Sequence, residues 1–331
     1  MILCYNRTML PITDIYKKMP KEALAIIEQT FDPAVFDKIL QAFRVKRRTT
    51  FRINTLLGTK KEVIDTLRQS GFKFRELQYL PNAYILDDEA DNKLLKTDLA
   101  AAGKIYLQST SSMIPPVVLS PQKDELILDM AAAPGSKTSQ IAAIMGNTGK
   151  IIAAEEDKLR IQRLDHNLHL LGVNNAETVC GDSTKLTLDA LGGRLFDRIL
   201  IDAPCSGEGR FNLYDRQSYG LWRANMSRTL SNLQKKMLLH GISLLRSGGT
   251  AVYSTCTLNI RENEEVVQHL LDNCAEVKIV PIGAELPEMK NTMPGFTSSG
   301  ETKFDKSLKN CLRVIPSQET EGFFVCKIQK K

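Results

Sequence analysis

Residues 196–207 read Phe-Asp-Arg-Ile-Leu-Ile-Asp-Ala-Pro-Cys-Ser-Gly, a hydrophobic run that breaks into a small, polar loop carrying Cys205. A buried strand followed at once by such a loop is how an open α/β sheet presents its chemistry at the carboxyl ends of its strands. About fifty residues on, the run 249–256 repeats the arrangement and leads into Ser254-Thr-Cys-Thr at 254–257. Upstream, the run 125–130 leads into Asp129-Met-Ala-Ala-Ala-Pro-Gly-Ser-Lys-Thr. Two strand ends carry a thiol and the third carries small residues that let a ligand approach the backbone. The pattern points to two cysteines facing one substrate beside a nucleotide-like cofactor.

Working outward, further strands are expected over 150–156, 177–182, 277–282 and 323–329, with helices over 158–171 and 227–245. Strands alternating with helices predict a mainly parallel sheet covered by helices on both faces. The first hundred residues read differently. Apolar residues at spacings of three and four predict helices within 20–48, Phe51-Arg-Ile-Asn-Thr-Leu alternates as a strand, and 60–70 reads as a helix closed by Gly71. This gives a smaller N-terminal α+β unit, expected over residues 1–104, before a catalytic domain over 105–331. The Pro115-Pro116 pair is read as a bend.

The chain has 331 residues with 43 % hydrophobic and 25 % charged content, which is the composition of a soluble globular protein. No apolar run reaches the roughly 20 residues a membrane helix needs, and the N-terminus lacks a secretory pattern, so a cytoplasmic location is expected. Seven cysteines without a Cys-x-x-Cys pair exclude a disulfide framework or zinc-ribbon reading and favour free thiols. His166 and His169 lie three apart, with no Cys or acidic pattern to complete a metal site, so no metal is expected. From Lys38 to Arg75 the chain holds eleven Lys or Arg against two acids, Glu62 and Asp65. Such a block suits a phosphate backbone, although a solvated surface has the same composition. Phe43, Phe51, Phe72 and Phe74 are interleaved with it and serve equally as core residues.

The loop after the first strand narrows the cofactor. A dinucleotide fingerprint requires Gly-x-Gly-x-x-Gly, and a P-loop requires a glycine five positions before Gly135; neither is present. The loop Ala131, Ala132, Ala133, Pro134, Gly135 and Ser136 still permits close approach. Glu155 ends the second strand, where a carboxylate accepts hydrogen bonds from ribose hydroxyls, and Asp182 ends the third, within reach of an adenine amino group. A nucleoside without pyrophosphate, such as S-adenosylmethionine, fits these positions. Both acids also suit plain helix capping.

Taken together, Asp129-Met-Ala-Ala-Ala-Pro-Gly-Ser-Lys-Thr, Asp202-Ala-Pro-Cys-Ser-Gly-Glu-Gly and Ser254-Thr-Cys-Thr resemble the Sun (nucleolar-protein/Sun) family of RNA cytosine-5 methyltransferases. The likeness extends over most of the chain: Phe51-Arg-Ile-Asn-Thr resembles its Arg-x-Asn element, Gln108 to Met113 its entry to the first strand, and Gly322-Phe-Phe-Val its closing strand. Ala131 stands where the family often has Cys, and Ser136 where it usually has a second Gly. The resemblance implies a Rossmann-like class I methyltransferase domain with a seven-stranded sheet. It implies S-adenosylmethionine as cofactor, with Lys137, Arg160 and Asp202 joining the loop residues, Glu155 and Asp182 around it. It further implies Cys256 as the nucleophile that adds to cytosine C6, Cys205 as the group assisting release, and Asp202 as the holder of the cytosine edge. Lys137 is placed to contact substrate or to lower a thiol pKa.

The expected activity is methyl transfer to C5 of a cytosine in RNA, tRNA in preference to rRNA because the chain is compact and shows no added RNA module. A ribosomal RNA substrate of the 16S or 23S type is the alternative. So is a largely non-catalytic RNA-binding assembly factor, against which the two retained thiols argue, and a small-molecule methyltransferase is a third reading. No obligate protein partner is indicated. Tyr214, Tyr219 and Trp222 follow the Pro-Cys loop and are candidates for stacking on RNA, with core packing equally open for Trp222; Arg210 and Arg216 are candidate phosphate contacts. Cys4, Cys180, Cys274, Cys311 and Cys326 are read as structural.

Overall fold

In the computed structural model, which describes residues 9–87, 91–283 and 285–331, the expected alternation from residue 125 onward forms one large sheet. Cys4 lies outside the described residues. The strands are β5 (Leu126–Asp129), β6 (Lys150–Glu155), β7 (Ala176–Cys180), β8 (Phe196–Asp202) and β9 (Leu245–Thr255), preceded by β1 to β4 of a smaller sheet described below. These five run parallel in the order β9-β8-β5-β6-β7. The strand order reverses at β5, and that switch point opens a crevice at the carboxyl ends of β5, β6 and β8.

Beyond β9 the sheet turns antiparallel. β10 (Val277–Val280) pairs with β15 (Phe323–Lys330), which itself runs along β9 from Phe324↔Thr255 to Gln329↔Thr250. β11 (Thr292–Pro294) and β14 (Leu312–Val314) then extend the sheet to nine strands rather than the expected seven. Each of the two additional strands is three residues long, too short for an alternating pattern to stand out, and β11 ends in Pro294, a residue that sheets accept at an edge. Between them Ser298–Ser299 (β12) and Thr302–Lys303 (β13) form a separate two-stranded ribbon.

Alternating side chains split the sheet residues between two apolar layers. Ile127, Ile151, Leu200, Val252 and Val325 pack on one face with the helices Thr110–Leu119 and Ser136–Met145. Leu128, Ile152, Ile199, Ile201, Tyr253 and Phe324 pack on the other with Met226–Leu244 and Glu264–Asn273. The Pro115-Pro116 pair lies inside the helix Thr110–Leu119 rather than at a bend. Ser109 starts that helix by accepting from Ser112 N, and the Ser112 carbonyl, which loses its donor to Pro116, accepts instead from Gln108 Nε2 at 3.1 Å. No helix among the described residues is long and apolar enough to cross a membrane.

The smaller sheet is antiparallel, in the order β2-β3-β1-β4, with β1 at Thr50–Ile53, β2 at Phe74–Glu76, β3 at Ala83–Leu86 and β4 at Ile105–Leu107. Its helix, Lys60–Gln69, is capped by Thr59 and closed at Gly71, whose φ of +78° lets Phe72 N return to Leu67 O. Ahead of it come the helices Ile12–Lys18, Lys21–Thr30 and Pro33–Phe43, the last started by Asp32 and by a proline at its first position. Their apolar faces share one core with Phe211, Leu213, Tyr219, Trp222 and Leu258. The N-terminal helices therefore support the loops that follow Cys205 and Cys256. Asn54 Nδ2 joins the small sheet to the large domain through the Leu171 carbonyl, at 2.9 Å.

Candidate active site

Because β8 and β9 are parallel neighbours in register at Asp202↔Ser254, their following loops leave the sheet side by side. This brings the two expected cysteines together, with Cys205 Sγ 3.1 Å from Cys256 Sγ. The backbone N–H of Cys256 donates to Cys205 Sγ at 3.2 Å. The hydrogen bond to Cys256 and then burial push the Cys205 thiol well above its ordinary range. Cys205 therefore stays protonated beside Cys256 Sγ. Glycines make this approach feasible: a Cβ on Gly209 would lie 2.1 Å from the Gly322 carbonyl oxygen and 2.7 Å from that of Cys256. Gly209 N bonds Cys256 O at 3.0 Å and Gly322 N bonds Gly209 O at 2.8 Å, so the two loops and the start of β15 are tied by backbone.

Cys256 lines a cleft of about 330 Å³ together with Tyr106, Lys137, Asp202, Arg210 and Phe323. Lys137 Nζ forms an ion pair of 2.6 Å with Asp202 and donates to Ser112 Oγ at 2.9 Å. Burial pulls the Lys137 ammonium down, but Asp202, then Asp129 and Cys256, more than offset it and hold the group above its usual range. Lys137 is thus a fixed cation between the carboxylates and the thiol. Asp202 accepts a second hydrogen bond, from Ser254 Oγ at 2.7 Å, which fixes its orientation at the end of β8. Arg210, which sequence reading offered only as a phosphate contact, is a second cation near the thiols. Burial lowers it, while Cys256, Glu321 and Cys205 raise it to a net upward shift.

The second cleft lies at the switch point. Met130, Ala131, Glu155, Arg160, Asp182, Ser183, Leu233 and Met237 line it, and of these Met130, Ser183, Leu233 and Met237 are not among the cofactor residues expected from the sequence. Glu155 is 4 % exposed; its Oε1 accepts from Glu156 N, Asp157 N and Arg160, each at 3.1 Å, while its buried Oε2 has no partner. An orphaned carboxylate oxygen beside the apolar Met130, Leu233 and Met237 fits the ribose and base of a nucleoside. Asp182 is held to about 2 by its bonds from Lys185 and Thr184. The loop 131–136 leaves Gly135 at φ +101°, where a Cβ would meet Leu164 at 3.0 Å, and opens the helix Ser136–Met145. Arg160 ties helix and loop together through the Ala133 carbonyl at 2.8 Å. Asp129, pushed up to about 6 chiefly by burial, accepts from Thr138 at 2.8 Å and has its Oδ1 unpaired.

A family model described as 16S rRNA methyltransferase RsmB/F matches residues 116–329. The chain belongs to the RsmB/F (Sun) family of methyltransferases. It is 38 % identical over 289 residues to the tRNA (cytosine(49)-C(5))-methyltransferase of Pyrococcus abyssi, covering 86 % of this chain and 88 % of that one. It is 36 % identical over 302 residues to a 25S rRNA (cytosine-C(5))-methyltransferase of Schizosaccharomyces pombe, covering 88 % of this chain and 48 % of the relative. The chain thus spans about half the length of the yeast relative, and 36 % of a human 28S rRNA relative. A solved methyltransferase homologue from Pyrococcus horikoshii superposes with a TM-score of 0.76 at 31 % identity, covering 94 % of this chain and 99 % of that one.

Within this RsmB/F domain other sequence candidates find different places. Trp222 and Tyr219 are buried at 5 % and 7 % exposure in the N-terminal helical core, so they are packing residues, whereas Tyr214 is exposed. Phe43 and Phe51 are fully buried, and Phe72 and Phe74 pack against the small-sheet core. The basic block does not form one free face. Arg47 pairs with Glu321, Arg48 with Asp87, Lys60 with Glu76 and Arg75 with Glu319, while Arg52 is buried against Gln108 and Ser139. Among the described residues no group of three or more His, Cys, Asp or Glu is arranged to hold a metal, and His166 and His169 lie on the helix Lys158–Leu170. Glu208 and Glu262, missed in the sequence, sit between the two cysteine loops.

Proposed function

We propose that the chain transfers a methyl group from S-adenosylmethionine to C5 of a cytosine in RNA, tRNA in the first place, through a covalent bond between Cys256 and cytosine C6. The observation that carries this reading is the 3.1 Å contact of Cys205 and Cys256 at a cleft that also holds Asp202 and Lys137. Cytosine C5 is a weak nucleophile until a thiolate adds at C6, after which the C5–C6 electrons become available. Cys256 lines the open cleft and serves as that nucleophile, with Lys137 and Arg210 stabilising its negative charge. Asp202, oriented by Ser254 and Lys137, holds the N3/N4 edge of the base. After transfer, solvent takes the extra C5 proton, the C5–H electrons re-form the C5–C6 double bond, and the C6–S pair leaves with Cys256 as a thiolate; Cys205, a protonated thiol 3.1 Å away, assists that release by hydrogen-bonding the departing sulfur.

When bound, S-adenosylmethionine supplies an electrophilic methyl group. The residues that would hold it are Glu155 for the ribose, Asp182 for the adenine amino group, and Ala131 to Lys137 with Asp202 for the methionine part, with Arg160 bracing the loop. Glu155→Ala is expected to weaken cofactor binding about 10- to 100-fold, the scale of losing a hydrogen bond to a charged acceptor, as titration calorimetry would read. The Arg210, Arg216 and Tyr214 side chains and the N-terminal unit supply the RNA contact, and a flipped or unpaired cytosine is the substrate form. The free thiols support a reducing, cytoplasmic location.

The tRNA preference draws support from the Pyrococcus abyssi tRNA enzyme, most of whose length this chain covers. Ribosomal RNA is the second reading, favoured by the family description and by the yeast relative. Incubation with labelled S-adenosylmethionine and unmodified total RNA, followed by separation of transfer from ribosomal RNA and identification of the labelled nucleoside, tests both. Label in 5-methylcytidine of tRNA is the expected result. Label in another nucleoside overturns the mechanism, and label confined to ribosomal RNA overturns the substrate.

A further inference from the structure

The residues that follow the two cysteines, Ser206 and Thr257, meet at a pair of fully buried carboxyl groups, Glu208 and Glu262. Ser206 Oγ lies 2.8 and 2.7 Å from the two carboxyl oxygens of Glu208 and is also hydrogen-bonded to Glu262 Oε1. Thr257 Oγ1 is hydrogen-bonded to Glu208 Oε2. Trp222 Nε1 donates to Glu208 Oε1 at 2.8 Å, and Ser206 N and Gln234 Nε2 both donate to Glu262 Oε2 at 3.0 Å. Tyr253 reaches the backbone carbonyl of Glu262 at 2.5 Å. The side chains bonded to the pair come from both cysteine loops, the loop carrying Trp222, and the helix Met226–Leu244, and all are neutral.

Hydrogen counting decides the protonation of this cluster. Ser206 with Glu208, Ser206 with Glu262, and Thr257 with Glu208 make three hydroxyl–carboxyl pairings, yet two hydroxyls supply only two hydrogens. If both carboxyl groups were ionised, one pairing would set lone pairs against lone pairs in a site closed to water. The third hydrogen must come from a carboxyl group. Glu208 accepts from Trp222, which can only donate, and from Thr257, while Glu262 Oε1 faces Ser206 Oγ with both of its N–H donors on the other oxygen.

We propose that Glu208 and Glu262 hold a single proton between them, resting on Glu262 Oε1, and that this proton locks the Cys205 and Cys256 loops together, making both acids positioning residues. The functional part of this rests on the methyl-transfer reading above. Burial, then the charge on Glu208, pushes Glu262 up to about 7, in agreement with the hydrogen count. Above neutrality the proton is lost, two like charges compete for the Ser206 hydroxyl, and the loop carrying Cys205 loosens. The step that Cys205 assists therefore weakens as pH rises.

Glu262→Gln tests this, because its amide can donate to Ser206 Oγ through nitrogen and accept from Ser206 N and Gln234 through oxygen, completing the network without a titrating proton. Glu262→Ala removes the network and is the comparison. The raised Glu262 makes the folded wild type bind more protons than the unfolded chain between about pH 4.5 and 7, so wild-type stability falls as pH rises through that window. The expected result is a melting-temperature advantage of Glu262→Gln that grows over the window and levels off above it, with a carboxylic-acid infrared band at pH 6 that the variant lacks. In RNA methylation, Glu262→Ala is expected to lose activity and Glu262→Gln to restore it, with the ratio of Glu262→Gln to wild-type kcat rising roughly tenfold from pH 6.5 to 8.5 and KM for RNA unchanged. Parallel stability curves for wild type and Glu262→Gln, or no acid band at pH 6, overturn the shared proton. The melting and infrared readings need no substrate, so they stand if the chain methylates nothing. Methylation with a flat activity ratio removes the positioning role alone.

Discussion

Cys205→Ala is expected to leave the protein covalently joined to its RNA, as a band that survives a denaturing gel when unmodified RNA and S-adenosylmethionine are supplied. On the proposed reaction the bond to cytosine C6 is made by Cys256 and is broken only after the C5 proton has gone. Cys205 is positioned to act on that second stage, since its sulfur sits 3.1 Å from Cys256 and its thiol is held protonated. Removing it leaves addition and methyl transfer in place and stalls elimination. Cys256→Ala is expected to give no band and to lower methylation by roughly 10³-fold or more, the scale on which loss of a nucleophile acts in covalent catalysis. A band from Cys256→Ala but not from Cys205→Ala would exchange the two roles. The absence of a band from both, with RNA still retained on a filter, would favour the assembly-factor reading.

What made this site readable in the sequence was the coincidence of strand ends with reactive residues. β5, β6, β8 and β9 each carry a short buried apolar run, and Asp129, Glu155, Asp202 and Cys256 lie at or just beyond the ends of those runs. A period-two or fully buried strand announces its own boundary, so the residues one or two beyond it can be named from sequence alone. Other parts of the site depend on contacts between distant segments. Ser112 reaches Lys137 because the helix Thr110–Leu119 packs on the large sheet, and the Pro115-Pro116 pair within it reads as a bend in the sequence. Glu208 and Glu262 are separated by a strand and a long helix, and only the parallel pairing of β8 with β9 brings them to one serine. The basic block shows what a count along the chain leaves out. Lys and Arg counted along 38–75 look like a phosphate-binding face, but Glu319 and Glu321, far off in sequence, return to neutralise Arg75 and Arg47. Composition cannot register such pairings, whereas it registered the apolar strands well.

Arg313→Met is expected to lower the unfolding free energy by about 3–5 kcal/mol, the usual result of stripping one partner from a buried ion pair. Arg313 and Glu264 are 2 % and 0 % exposed at their side chains, and the guanidinium spans both carboxylate oxygens, with Nε to Oε1 at 2.7 Å. Its remaining nitrogen, Nη1, donates to the Leu258 carbonyl at 3.0 Å, and the guanidinium carbon lies 4.6 Å from the Phe296 ring centre, with Phe31 and Phe324 at 5.6 and 5.7 Å. One side chain thus connects the N-terminal helices, the last strands of the sheet and the segment two residues beyond Cys256. Losing it leaves the Glu264 charge buried without a counter-ion, and lysine would not replace it because an ammonium cannot bond two carboxylate oxygens and a carbonyl in one plane. The double variant Arg313→Met with Glu264→Gln removes the orphaned charge and is expected to recover more than half of the loss. Urea midpoints of the two variants against wild type separate these terms. A loss below about 1 kcal/mol for Arg313→Met would mean that water reaches Glu264 in the folded protein. If the double variant were no more stable than the single one, the cost would lie in the aromatic packing around the guanidinium rather than in the charge. Because Leu258 follows the nucleophile so closely, Arg313→Met is also expected to lower methyl transfer at temperatures where the protein remains folded, an effect the double variant, which still lacks the bond to the Leu258 carbonyl, should share.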